Sequence, residues 1–220
     1  MSVYHLHIPR TSGIFIREFA VHSLPGNIFS RHNRKLPNNF SEYDIVSGHF
    51  ATTPIKDTDV NFAIFRNPVD LTFSYISYHL GHYPHLTFSE LIEMYIDTGK
   101  IENFVNINSK FLTGEIDIEQ YNDNISNLLY RAESCWFVKN YDTDILSFSK
   151  TIEKNKTILI DFDDTNRYDK ISDILGVKIV GNKINQSRPI KDRLRSKYNN
   201  LITELNSFDL EAYEYLKKQT

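Results

Sequence analysis

The chain's 220 residues are 40% hydrophobic, enough to bury one sizeable core, and they read as a single domain over 1–220. A formal net charge of −3 excludes broad electrostatic binding to nucleic acid or an anionic membrane, so a phosphate-bearing ligand has to meet a local basic pocket. One cysteine (Cys135), no signal-peptide pattern in MSVYHLHIPR and no run of roughly 20 apolar residues exclude a disulfide framework, a cysteine zinc cluster and a membrane-spanning helix, and a cytoplasmic protein is expected.

In chain order, short apolar runs predict strands over Tyr4–Ile8, Asp44–Ser47, Asn61–Phe65, Ser134–Lys139 and Thr157–Phe162. Most are apolar throughout, the habit of parallel strands buried on both faces. Helical patterns lie between them. The clearest begins at Asn67 as N-cap with Pro68 at the first helical position, and Val69, Phe73, Ile76 and Leu80 form its buried stripe. Others are predicted over Ser89–Asp97, Ile118–Arg131, Thr143–Glu153, Tyr168–Leu175, Lys191–Asn206 and Asp209–Lys217. Strands alternating with helices give an α/β fold, an open and mostly parallel sheet flanked by helices. Ligands of such sheets sit beyond the carboxyl ends of the strands, so the first three strand ends, HIPRTSG, SGHF and FRNP, should converge.

The first of these, His7 to Gly13, leads straight into a helical pattern. Backbone N–H groups of Thr11, Ser12, Gly13 and Ile14 at a helix N-terminus favour an anion, with hydroxyls from Thr11 and Ser12 and a fixed charge from Arg10. The competing reading is a capped turn with a surface arginine. The segment lacks the Gly-Lys-Ser/Thr ending of a nucleotide triphosphatase loop. At the third strand end stand Arg66 and, two helical turns on, Ser74, which together can hold a second phosphate. Here a capping arginine and an ordinary helical serine are the alternative. His49, after a buried strand, is a candidate general base, although a lone histidine is more often structural.

Taken together, these stretches resemble carbohydrate-type sulfotransferases. HIPRTSGIFIREF is similar to the family's HIPKTGGTSLRE loop, FRNPVDLTFSYISYH to its RdPveRxxSxYxY segment, and SGHF to its GHF. Weaker likenesses follow in order in NINSKFLTG, CWFVKNYDTDILSFSKTI and FDLEAYEYLKK, so the resemblance spans nearly the whole chain. It implies a P-loop-like sulfotransferase fold. The donor would be 3′-phosphoadenosine 5′-phosphosulfate, leaving 3′,5′-adenosine bisphosphate, with no metal. The acceptor would be a hydroxyl on a glycan or small molecule. In the implied assignment Arg10, Thr11, Ser12, Gly13 and Ile14 hold the 5′-phosphosulfate, and Arg66 and Ser74 hold the 3′-phosphate. Ser187 and Arg188 in NQSRP close over the adenosine end, and His49 is the base. Two features depart from the family: Arg10 replaces a lysine, and Ile14 and Phe15 stand where hydroxyl residues are usual. A kinase of related loop fold and a non-catalytic nucleotide-binding relative are the alternatives.

Three other patterns compete for attention. Asp161 and Asp163 in DFDDT resemble the opening of an aspartate-nucleophile phosphatase, but too little chain follows for the rest of that fold. His79, His82 and His85 lack a carboxylate neighbour for a metal and read as a polar lip near the acceptor. Lys191, Arg193, Arg195 and Lys197 read as a solvated helix face, and Cys135 as core.

Overall fold

A computed structural model describes residues 2–11, 16, 26–30, 42–49, 59–117, 119–120, 138–179 and 192–220. Its centre is β1 (Val3–Leu6), every residue of which is buried. Two strands pair with it in parallel, β3 (Ile45–Gly48) with Val3 opposite Ile45, and β4 (Val60–Phe65) with Val3 opposite Val60. Outside these lie β2 (Ile28–Ser30) on β3 and β7 (Ile158–Asp161) on β4, also parallel, giving the order β2-β3-β1-β4-β7. The expected open parallel α/β sheet is therefore present. A separate two-stranded antiparallel sheet joins β5 (Glu115–Ile116) to β6 (Val138–Lys139).

The pleat sorts the core into two layers. Tyr4, Leu6, Ala63 and Phe65 face a large cluster built on α1 (Pro68–His79), α2 (Phe88–Asp97), α3 (Ile107–Thr113), α4 (Ile145–Asn155), α6 (Asp192–Leu205) and α7 (Ser207–Lys217). Val3, Phe62, Ile64 and Ile160 face the opposite way, against Ile16, Ile179 and α5 (Arg167–Leu175). Alternation of side chains along a strand requires this split, and helices on both faces satisfy it. No helix among the described residues is long and apolar enough to cross a membrane.

The expected elements shift by a residue or two at their ends. The segment predicted as a strand over Ser134–Lys139 is strand only at Val138–Lys139 among the described residues, and it lies in the small sheet, not the main one. The helix expected over Ile118–Arg131 falls almost wholly outside the described residues. β2, β5 and α3 were not anticipated. Asn67 does cap α1, accepting from Val69 N at 3.1 Å and Asp70 N at 3.2 Å. Thr87 and Glu90 form a reciprocal capping box on α2.

Removing the α1 cap tests this account. Asn67→Ala should lower stability by about 1 kcal/mol, read as a fall in the urea midpoint at unchanged slope. An unchanged midpoint would mean that tertiary packing alone fixes the start of α1.

Candidate functional site

Parallel strands all end on one edge, so the residues that follow β1, β3, β4 and β7 meet there. The turn after β1 runs through Pro9 to Arg10, whose φ of 65° is left-handed. That conformation turns the Arg10 side chain onto α1. Its Nε donates to Ser74 Oγ at 3.3 Å, and its guanidinium lies 5.0 Å from the ring centre of Tyr78, one helical turn further on. Arg66 follows β4 and donates from Nη1 to the Arg10 carbonyl at 3.5 Å, with its guanidinium 4.5 Å from the Phe162 ring. Its Nε is buried without a hydrogen-bond partner among the described residues.

Burial lowers the pKa of both arginines, and each is surrounded by mixed charge. For Arg10, Tyr78 and Tyr75 favour the cation and Arg66 opposes it. For Arg66, Asp70 and Asp163 favour the cation, and Arg195 and Arg167 oppose it. No carboxylate among the described residues forms a salt bridge with Arg66. Both arginines keep their protons at neutral pH, because an arginine begins far above it. The result is a partly desolvated dication in which Arg66 Nε has no partner among the described residues, which suits a phosphate or sulfate group.

Sequence reasoning expected two anion positions, one at Arg10 and one at Arg66 with Ser74. Among the described residues Arg10 lies against both Ser74 and Arg66. Thr11 is fully buried and donates its hydroxyl to the Ile8 carbonyl at 2.7 Å, closing the turn. Ser12, Gly13, Ile14, Ser187, Arg188 and Cys135 lie outside the described residues.

His49 stands just past β3, half-buried. Its Nδ1 donates to the His7 carbonyl at 2.7 Å, the only role open to a ring nitrogen facing a carbonyl oxygen. In the neutral ring that tautomer puts the lone pair, and so the basicity, on Nε2. The ring also stacks on His7 at 4.0 Å and meets the edge of Phe111 at 6.1 Å. His7 in turn stacks on His5 at 5.5 Å, and His5 on Phe62 at 4.6 Å. A chain of rings thus runs from the core to the candidate base and fixes its orientation.

Other expectations change. His79 is not on a polar lip, because it is buried with Nδ1 at 3.1 Å from the Tyr95 hydroxyl, while His82 and His85 are exposed. Arg195 and Lys197 are exposed by about half but not merely solvated. Arg195 pairs with Asp70 and lies 5.4 Å from the Phe73 ring, and Lys197 pairs with Glu93 at 3.0 Å. Asp161 closes its own turn by accepting from Asp163 N at 3.0 Å, and it also accepts from Tyr213 at 3.4 Å. Arg167 was missed by sequence reasoning. Its guanidinium lies 4.8 Å from the same Phe162 ring that Arg66 covers, and nothing in the local sequence signals that meeting. A cleft of about 520 Å³ opens elsewhere, near the amino end of β7 beside Lys156, Ile158 and Tyr215, and contains none of these residues.

The ring chain has a measurable consequence. His5 is fully buried and bonded through Nδ1 to Ser47 Oγ at 2.8 Å; burial, aided by His49, lowers its pKa from 6.5 to about 3. Between those values the unfolded chain binds a proton that the folded chain refuses, so stability is complete above about 6.5 and falls as pH drops toward about 3. The slope from this group is about 1.4 kcal/mol per pH unit. The melting temperature should therefore fall from neutral to mildly acidic pH, and less steeply in His5→Gln, which cannot take up a proton. Parallel pH profiles for the two proteins would show that His5 is not the titrating group.

The chain matches no protein-family model, no curated protein and no solved structure, so its function has to be argued from this site.

Proposed function

We propose that the protein is a sulfotransferase that moves a sulfuryl group from 3′-phosphoadenosine 5′-phosphosulfate to an acceptor hydroxyl, a saccharide being the favoured acceptor. The observation that carries this reading is Arg66. A largely buried guanidinium with an orphaned Nε, one carbonyl partner and a second arginine beside it is costly without an anion to complete it. Ser74 supplies a hydroxyl at the same place, so the cluster suits the 3′-phosphate that distinguishes this donor from ATP. The motif resemblance supplies the sulfuryl group; the geometry alone supports only a phosphate-bearing ligand.

In this reading His49 Nε2 accepts the acceptor's hydroxyl proton as the acceptor oxygen bonds to sulfur. The bond from sulfur to the bridging phosphate oxygen breaks, and its electrons stay on the bisphosphate. The His7 carbonyl stabilises the imidazolium so formed by holding Nδ1–H. Arg10 neutralises charge growing on the leaving oxygen, which requires its side chain to leave Ser74 and turn toward the sulfuryl group. Such transfers rely on positioning and charge stabilisation.

Calorimetric titration tests the anion assignment. 3′,5′-Adenosine bisphosphate should bind about tenfold or more tightly than 5′-AMP, the scale of one charge-assisted contact, and Arg66→Ala should abolish the difference. Equal affinities in the wild-type protein would sink the assignment, and tight magnesium-dependent ATP binding would favour a kinase instead. The base has its own test. His49→Ala should keep its melting temperature and its bisphosphate affinity while turnover falls by about a hundredfold or more. A variant that turns over normally, whatever its stability, would remove His49 from the chemistry.

A further inference from the structure

Arg66 sits where the β4 ladder ends, and its backbone is held by a side chain, not a strand. Asn108 Nδ2 donates to the Arg66 carbonyl at 2.8 Å, and Arg66 N donates to Asn108 Oδ1 at 3.4 Å. One fully buried amide thus imitates a neighbouring strand at a single residue. Asn108 is itself fixed through α3. Its N–H donates to Asp209 Oδ2 at 2.8 Å, and Ser109 donates to Asp209 Oδ1 from its N–H at 3.0 Å and from its hydroxyl. Asn106, the N-cap of α3, makes no side-chain cap of its own, so Asp209 reaching across from α7 does that work.

The same network reaches α1. Asn206 accepts from Asn106 N at 2.9 Å and donates to Thr72 Oγ1 at 3.1 Å, two residues before Ser74. Asn108, Ser109, Asp209, Asn206 and Thr72 are all fully buried. A buried polar network of this size is an inefficient source of stability, since well-packed apolar residues would serve as well. What it does supply is a fixed distance between the end of β4 and the second residue of α3.

We propose that Asn108 is a positioning residue for Arg66, setting where the guanidinium stands and thereby how strongly the site selects a nucleotide carrying a 3′-phosphate. The proposal rests on the phosphate assignment of Arg66 made above. Asn108 touches no ligand; it acts through the backbone of the residue that does.

The readout is therefore selectivity and not stability. Affinities for 3′,5′-adenosine bisphosphate and 5′-AMP are measured by titration on wild-type protein, Asn108→Ala and Asn108→Ser, with melting temperatures for each. The ratio of the two affinities should fall by about tenfold in Asn108→Ala, the scale seen when a group behind a ligand-binding residue is lost, while 5′-AMP binding is kept. Asn108→Ser, too short to span both backbone groups, should lower the ratio as well, and it carries the test if the alanine variant does not fold. A folded variant that melts lower yet keeps the wild-type ratio would overturn the positioning role and leave the phosphate site standing. A wild-type protein that does not discriminate between the nucleotides would overturn both.

Discussion

β1 is hydrogen-bonded along both edges to parallel neighbours, so neither edge can serve as a ligand surface and the chain cannot return through a hairpin. Each strand must instead discharge its next residues at the same end of the sheet. That constraint gathers His7 to Thr11, His49, Arg66 and the turn at Phe162 from four distant stretches of sequence. It also sends neighbouring side chains to opposite faces. His5 and His7 alternate with Leu6 and share the Phe62 side of the sheet, whereas Arg10 turns to α1, which packs on the Leu6 side.

The pair is held against electrostatic preference. Arg10 and Arg66 repel each other, and burial opposes the charge on both. Each guanidinium is laid on an aromatic ring, Tyr78 for Arg10 and Phe162 for Arg66. Contacts of this kind contribute about 0.5–2 kcal/mol, which offsets only part of the cost.

Much of the fold was legible because its signals are local. Parallel strands buried on both faces announce themselves as short apolar runs, and Asn67-Pro68 marks a helix start by capping chemistry alone. α3 was not legible, since its N-terminal donors are met by Asp209, 100 residues away in sequence. β2 escaped because three residues carry no readable period. The site divides the same way. Arg10, Arg66 and His49 are conspicuous at strand ends, whereas Asn108 and Arg167 matter only through contacts that the sheet creates. No pattern in HIPRTSG reveals that Arg10 adopts a left-handed backbone and donates to Ser74.

That backbone sets a conflict between fitness for folding and fitness for function. A non-glycine residue at a φ of 65° carries strain of about 1 kcal/mol or more, and glycine at position 10 would relieve it. Any selection that rewards thermal robustness alone will therefore push this position toward glycine and discard a cation from the site. Consensus-style or directed stabilisation of this protein would have to hold position 10 fixed, because here the more comfortable residue is the one without charge.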